Sequence, residues 1–409
     1  MTRDLLTGNA AAAWGARLAD VDYVPAYPIT PQTEIIETLA RWIAAGALPA
    51  RLVTMDSEHS MLTAAGAAAA TGARVFTASS SQGLLYGFEM LYTVAGWRVP
   101  LVLVNVSRAL AAPITLEPDH NDVLAARDTG FLQLHAESCQ EVLDSVLMAY
   151  RLAEHRDVLL PAIVNLDGFH LSFTREPVEV PAPDAVRAFL PAYAPGPARF
   201  SASHAAAQGV AVLGGSAYSF FKYQMQRAAE AALDVHATIA EEFAARFGRR
   251  WGAVEGWALD DAEHVVVTSN SFSTVGKAEV TRLRAGGEKI GLLRLRLIRP
   301  FPHAEIAHVL AGRRAVAVID QNISVGKGGI LFAEVASALR GPGAPPLVSF
   351  VGGLGGRRFR SADFDLIAAR LHAAETEGGS AEPHLLFSET EYRQVLDMLR
   401  VAGHAVPEA

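Results

Sequence analysis

The sequence predicts an α/β protein, with a doubly wound parallel sheet in the first domain and a second, smaller α/β unit at the end. Three observations carry this. Short runs of strand character alternate with helical patterns up to about residue 180. A proline-rich change of composition follows, at Glu176-Pro177-Val178-Glu179-Val180-Pro181-Ala182-Pro183. A second alternation of strand and helix then fills the last third of the chain.

Residues 9–18 read as a first helix. Residues 23–27 read as a short strand ending in the turn Pro28-Ile29-Thr30-Pro31, where two prolines fix φ and keep the preceding residues out of the α region, so Thr30 is held in a rigid loop. A helix over 33–45 is predicted because Ile35, Ile36, Leu39, Trp42 and Ile43 recur at helical spacing. Strand runs recur at 51–54, 74–78, 101–106 and 162–166, separated by helices that include 84–95 and 140–151. Prolines continue from Pro191 to Pro197, and such a stretch cannot enter a sheet interior, so it reads as a connector. Residues 203–257 then read as a helical bridge, with Phe220, Tyr223, Met225, Ile239, Phe243 and Phe247 spaced to form a buried face. The expected domains are 1–180, 181–262 and 263–409.

In the last unit, strands are predicted at 265–268, 290–294, 315–320 and 347–350, with Asn270-Ser271-Phe272-Ser273-Thr274-Val275-Gly276 leading into a helix. Gly326-Lys327-Gly328-Gly329 opens another helix and Gly352-Gly353-Leu354-Gly355-Gly356 follows a strand. Glycines at a helix start can cradle a phosphate, but neither run has the spacing of a Walker loop or a dinucleotide fingerprint. Close packing between subunits is the expected use.

With 409 residues, 51% of them hydrophobic, the chain has material for two or three cores. A net charge of −8 provides no basic surface for nucleic acid or an anionic membrane. The N-terminus lacks the apolar run of a signal peptide and no stretch reaches the ~20 apolar residues of a span, so a cytoplasmic protein is expected. The single cysteine, Cys139, excludes an intrachain disulfide and cannot by itself hold an iron–sulfur cluster, which takes four thiolates. It is expected to be structural, and electrons leaving a substrate would need another chain.

Four motifs sit just after strand runs, and the strand ends of an open parallel sheet face one crevice. They are Pro28-Ile29-Thr30-Pro31, Asp56-Ser57-Glu58-His59, Ser79-Ser80-Ser81-Gln82-Gly83 and Ser107-Arg108-Ala109. Each has a plain structural reading. Glu58 can simply charge a first helical turn. Arg108 can pair with Glu117 or Asp119, Thr30 can satisfy its own turn, and Ser81 can cap a helix beside Gln82 and Gly83. His59 and His120 lack the paired spacing of a metal site, so no metal site is expected.

In this order the motifs resemble the alpha subunit of the 2-oxoacid:ferredoxin oxidoreductases, the family that includes pyruvate synthase. Asp119-His120-Asn121-Asp122, Arg127-Asp128-Thr129-Gly130 and Leu166-Asp167-Gly168-Phe169 extend the resemblance over essentially the whole chain. It implies a pyrimidine-type thiamine diphosphate-binding domain followed by a transketolase C-terminal-like domain. It implies Glu58 as the catalytic carboxyl at the cofactor's aminopyrimidine N1′, with Pro28, Ile29, Gln82 and Gly83 also lining the cofactor. Thr30 and Arg108 would hold the 2-oxoacid. The Gly-Asp-Gly and Asn that grip Mg²⁺ and the diphosphate in this family have no counterpart here, since Asp167-Gly168-Phe169-His170 lacks the leading Gly and the Asn. A beta subunit is therefore expected to supply that half-site and its Mg²⁺, with gamma and ferredoxin-like delta subunits among the partners and [4Fe-4S] clusters only in partner chains.

The reaction so implied is CoA-dependent oxidative decarboxylation of a 2-oxoacid to an acyl-CoA and CO₂, with ferredoxin or NAD as acceptor. Leu116, Glu117 and Pro118, in the loop after Arg108, depart from the pattern of a pyruvate enzyme, so a larger acid such as phenylglyoxylate stands beside pyruvate. A non-redox thiamine enzyme half and a non-catalytic scaffold are the competing readings.

Overall fold

The computed structural model describes residues 2–196, 199–203, 205, 207–341 and 343–405; Pro197, the end of the proline-rich stretch, lies outside them. In the first unit the strands are β1 (Thr2–Thr7), β2 (Tyr23–Ala26), β3 (Arg51–Thr54), β4 (Phe76–Ser79), β5 (Val102–Ser107), β6 (Leu132–His135), β7 (Ala162–Asp167) and β8 (Arg175–Val180). In the second they are β9 (Val254–Trp257), β10 (His264–Ser269), β11 (Ile290–Leu295), β12 (Leu297–Arg299), β13 (Ala315–Asp320), β14 (Leu347–Val351) and β15 (Ser380–Leu385).

The first sheet runs β12-β6-β7-β5-β4, and the parallel pair β2-β3 stands beside it through a Tyr23–Val75 bridge. Strands β4, β5, β6 and β7 pair in parallel. Strand β5 is buried along its length because helices cover both faces, which is why it reads as an almost unbroken apolar run. Val102, Val104 and Val106 pack with the helices Gly8–Leu18 and Cys139–Ala153, while Leu103 packs on the other side with Glu58–Ala70 and Phe88–Gly96. The Ala- and Gly-rich face of Glu58–Ala70 is buried at Ala65, Gly66 and Ala69, as its small side chains require for close approach.

The second sheet runs β15-β14-β13-β10-β11-β9, parallel except for the edge strand β9. Val265 and Val267 face a core shared with the first unit, and Val266 faces the helices Phe272–Ala285 and Ser361–Glu377. Strand β12 leaves this unit and pairs antiparallel with β6, Leu297 opposite Leu134. The two units are thus joined by backbone as well as by side chains.

Several expectations change. Residues 176–183, read as a connector, hold strand β8, which pairs with β1 and sets Pro177 opposite Leu5. That two-stranded ribbon lies apart from the main sheet, where a missing N–H is tolerated. The helix expected over 84–95 is two helices, Ser81–Tyr86 and Phe88–Gly96, meeting at Gly87. The bridge is a single helix, Gly215–Phe247, preceded by irregular chain, and 254–257 is strand. Its buried face is confined to the C-terminal part, from Ala228 to Phe247. Phe220 and Tyr223, expected inside, are exposed because the first turns of the helix extend past the core.

The two glycine-rich runs differ. Asp320 accepts hydrogen bonds from the amides of Leu331 and Phe332 at 2.7 and 3.0 Å, so the start of the helix Ile330–Ala338 already has its anion and the Gly326–Gly329 run cradles none. Gly356, at φ 77°, packs closely within the chain: its amide donates to Pro118 O at 2.9 Å, and a Cβ there would meet Glu117 Cβ at 2.6 Å.

Candidate functional site

The predicted residues gather where β2, β3, β4 and β5 end. Glu58 opens the helix Glu58–Ala70 behind the cap Ser57, whose Oγ accepts from Ser60 N at 3.2 Å. A carboxylate in a first turn suits the helix dipole, yet this one is also turned inward and only 5% exposed. Its carboxylate receives no hydrogen bond from the described residues. Gly83 lies directly against it: a Cβ there would collide with the Glu58 carboxylate and come within 2.8 Å of Ser79 Oγ.

Arg108 leaves the end of β5 and turns back across the crevice. Nη1 donates to Thr30 O at 2.8 Å and Nη2 to Gln82 Oε1 at 2.6 Å. Its predicted partners Glu117 and Asp119 form no ion pair with it. Burial lowers the guanidinium pKa, and the nearby Asp122 charge works against that shift. The Arg108 side chain is 6% exposed, and its Nε and the Gln82 Nε2 are buried without partners. Thr30 contributes its carbonyl to Arg108, while its exposed hydroxyl makes no bond to its own backbone. Exposed Pro28 and half-buried Ile29 complete the turn, which Gln32 ties down by donating from Nε2 to Tyr27 O and from its amide to Ile29 O.

Sequence reasoning missed the polar layer beneath. Asp122, fully buried, accepts from Ser81 N, Asn105 Nδ2, Ser107 Oγ, Arg108 N and Val123 N. The available signal was Asn105, an amide inside the apolar run of β5. His120 is also internal: its Nε2 lies 2.8 Å from Asp167 Oδ1, and Asp167 accepts from Ser271 N at 3.1 Å and Asn270 Nδ2 at 3.2 Å, across to the second unit. His59 is half-buried near Glu89 at 3.6 Å and gathers no further ligands.

Elsewhere, His264, His372 and Glu375 place ligand-type atoms within 4.8 Å of one another on the second unit. Glu375 already receives His264 at 2.9 Å and lies 3.5 Å from Arg314, which makes this an ion-pair cluster. A cavity of about 690 Å³ lined by Glu117, Asp167, Ser271, Gln321 and Arg358 lies between the units and includes none of Glu58, Gln82 or Arg108. The strand-end cluster, in contrast, holds buried polar atoms without partners, Gln82 Nε2 and Arg108 Nε.

The family model for pyruvate flavodoxin/ferredoxin oxidoreductase, thiamine diphosphate-binding, matches residues 14–243, more than half of the chain. The pyruvate synthase subunit PorA of Methanocaldococcus jannaschii is 42% identical over 376 residues, covering 91% of this chain and 96% of the relative. The chain belongs to the alpha-subunit family of the 2-oxoacid:ferredoxin oxidoreductases. A second model of this family, pyruvate:ferredoxin oxidoreductase core domain II, matches residues 262–364. PorA of Thermotoga maritima is 41% identical over 91% of this chain and 96% of its own length. The ketoisovalerate oxidoreductase subunit VorA of Pyrococcus abyssi is 41% identical over 90% of this chain and 92% of its own.

Two solved structures share the fold of this 2-oxoacid oxidoreductase alpha-type chain. The 2-oxoglutarate:ferredoxin oxidoreductase of Magnetococcus marinus, solved with 2-oxoglutarate, coenzyme A and succinyl-CoA, superposes with a TM-score of 0.70 at 20% identity. The likeness covers 91% of this chain and 65% of that one, so the chain spans just under two thirds of its length. A split-gene transketolase, an inactive beta4 tetramer, gives 0.53 at 13% identity, over 91% of this chain and 98% of that one. The expected pairing of a thiamine-type unit with a transketolase-like one is borne out. No helix among the described residues is long and apolar enough to cross a membrane.

Proposed function

We propose that this oxidoreductase subunit supplies the aminopyrimidine half of a thiamine diphosphate site and the anchor for a 2-oxoacid, within a complex that converts the acid, with CoA, to an acyl-CoA and CO₂. The observation that carries this reading is the conjunction at one crevice of buried Glu58 against Gly83 with the Arg108–Gln82–Thr30 group. The buried, unpartnered Gln82 Nε2 and Arg108 Nε, beside the Glu58 carboxylate, fit a flat heterocycle and an anion better than they fit each other.

When bound, thiamine diphosphate supplies the electron sink that a 2-oxoacid needs in order to lose CO₂, which side chains cannot provide. Glu58 holds a proton at the ring's N1′ and exchanges it there. Gly83 leaves room beside that carboxyl, while Gln82, Pro28 and Ile29 border the ring. Arg108 binds the substrate carboxylate through the guanidinium N–H groups that Thr30 O and Gln82 Oε1 leave free, Nε among them, and the Thr30 hydroxyl donates to the substrate. Burial of Arg108 strengthens that attraction by excluding water.

The crevice is open at Thr30 and Pro28. A beta-type subunit carrying Mg²⁺ and the diphosphate grip would close it. The chain has one cysteine, buried Cys139, and a cluster takes four thiolates, so in this reading the [4Fe-4S] clusters belong to gamma and ferredoxin-like delta partners, which pass electrons to ferredoxin or NAD. Relatives named for pyruvate and for ketoisovalerate are about equally similar, so overall identity does not select the acid. The loop after Arg108 carries Ile114, 72% exposed, and Leu116, where a side chain larger than methyl, up to the phenyl of phenylglyoxylate, would be sorted. Glu58→Gln in the assembled complex tests the reading: turnover should fall about 10²–10⁴-fold with the fold retained, and near-wild-type turnover would overturn it.

A further inference from the structure

We propose that Asp122 is the positioning residue of this site, fixing the two backbone turns that carry Gln82 and Arg108 so that their side chains meet; this rests on the reading of Arg108 as the substrate anchor. Oδ2 accepts from Ser81 N at 3.0 Å, from Asn105 Nδ2 at 3.1 Å and from Arg108 N at 3.3 Å. Oδ1 accepts from Ser107 Oγ at 2.8 Å and from Val123 N at 2.7 Å. One carboxylate therefore grips the β4 turn at Ser81, one residue before Gln82, and the end of β5 at Arg108 itself.

Ser81 sits at φ 49°, a left-handed conformation that a non-glycine residue adopts only when its surroundings hold it there. Asp122 takes its amide, and its Oγ donates to Ala109 O at 3.0 Å, again joining the two turns. Asn105 also donates to Asn165 Oδ1 at 2.8 Å, which ties the cluster to β7. None of these groups touches the open crevice; they act through the residues that do. A carboxylate is required because the donors at Oδ2 cannot be reversed, whereas an amide must present one N–H₂ to them or to Val123 N.

The test uses the chain assembled with its partner subunits and compares Asp122→Asn, Arg108→Lys and the double variant by steady-state kinetics. Asp122→Asn should lower kcat/KM for the 2-oxoacid about tenfold, mainly through KM, as expected when hydrogen bonds to a charged group are weakened. The double variant should be no more than about threefold worse than Arg108→Lys alone, because both changes act on one anchor. If the two losses multiply, Asp122 merely supports the fold and the inference is overturned while Arg108 keeps its role. If Arg108→Lys alone has no effect, the anchor reading fails, and the inference with it. Should Asp122→Asn not assemble, Ser107→Ala, which removes one donor, must show a smaller loss with the same non-additivity; a loss that multiplies with Arg108→Lys overturns the inference.

Discussion

Arg108 Nη2 donates to Gln82 Oε1 at 2.6 Å, so the proposed substrate anchor and the turn proposed to border the cofactor hold each other before any ligand arrives. The amide oxygen occupies one arm of the guanidinium fork, and Thr30 O occupies the other. Lysine keeps the charge but loses the fork. For Arg108→Lys we expect kcat/KM to fall roughly tenfold to a hundredfold, as hydrogen bonds worth ~1.5–3 kcal/mol are lost, with thiamine content unchanged. Kinetics beside a thiamine assay check this, and loss of the cofactor itself would count against the assignment.

The polypeptide alone should not retain thiamine diphosphate. It has the residues proposed to line the ring but no Gly-Asp-Gly motif, and its crevice is open. Equilibrium dialysis of the isolated chain at micromolar concentration is expected to give no stoichiometric cofactor, and stoichiometric retention would refute the half-site reading.

Gly83→Ala should imitate the loss of Glu58. The new Cβ must displace the carboxylate or Ser79 Oγ. Activity in the complex should drop by about 10²-fold or more, comparable with removing an acid–base group, while circular dichroism stays unchanged. An active alanine variant would show that Glu58 has freedom to move.

Glu141 joins the units electrostatically, with Arg294 at 2.8 Å and Arg296 at 2.5 Å, all three side chains fully buried. Glu141→Gln leaves two guanidinium groups short of their shared counter-charge. Breaking a buried pair of this kind costs about 3–5 kcal/mol, so thermal or chemical unfolding should register a large loss. A change below about 1 kcal/mol would mean that Glu137 and Glu255 compensate.

The His120–Asp167 pair gives a pH signature. Burial works to lower the His120 pKa, but Asp167 and the nearby Asp119 and Asp122 outweigh it and the net shift is upward; the Asp167 pKa is lowered by His120 despite burial. The pair's stabilisation is therefore fully present below the ordinary histidine value of 6.5 and fades as pH rises through the raised folded pKa. On the acid side it holds above the ordinary aspartate value of 3.8 and fades as pH falls through the lowered one. The stability difference between wild type and His120→Gln should thus be largest between these two values, and a flat difference from pH 4 to 9 would contradict the ion pair.

Much of this was legible in local patterns. Parallel strands buried on both faces announce themselves as apolar runs, so β4, β5, β7, β10 and β13 were readable, and so were the turns at their ends. The meeting of Glu58, Gln82 and Arg108 followed from a rule about where such strands end. What escaped depends on distant partners. Strand β8 is stabilised by β1 in spite of its proline, β6 is four residues with two polar side chains, and the aromatic residues at 220 and 223 have helical spacing but no core to enter. Asp122 could be quoted as part of a motif, yet its five donors come from three separate stretches of chain.

Strand β12 sets a timetable. Its partner β6 is made roughly 160 residues earlier, so the edge of the first sheet must wait, unpaired, while the long helix and the first strands of the second unit, β9 to β11, are synthesised. During that interval the β6 edge is a template for any other strand, and a chain cut between the units keeps that exposure permanently. The second unit thus serves as the closing clasp of the first.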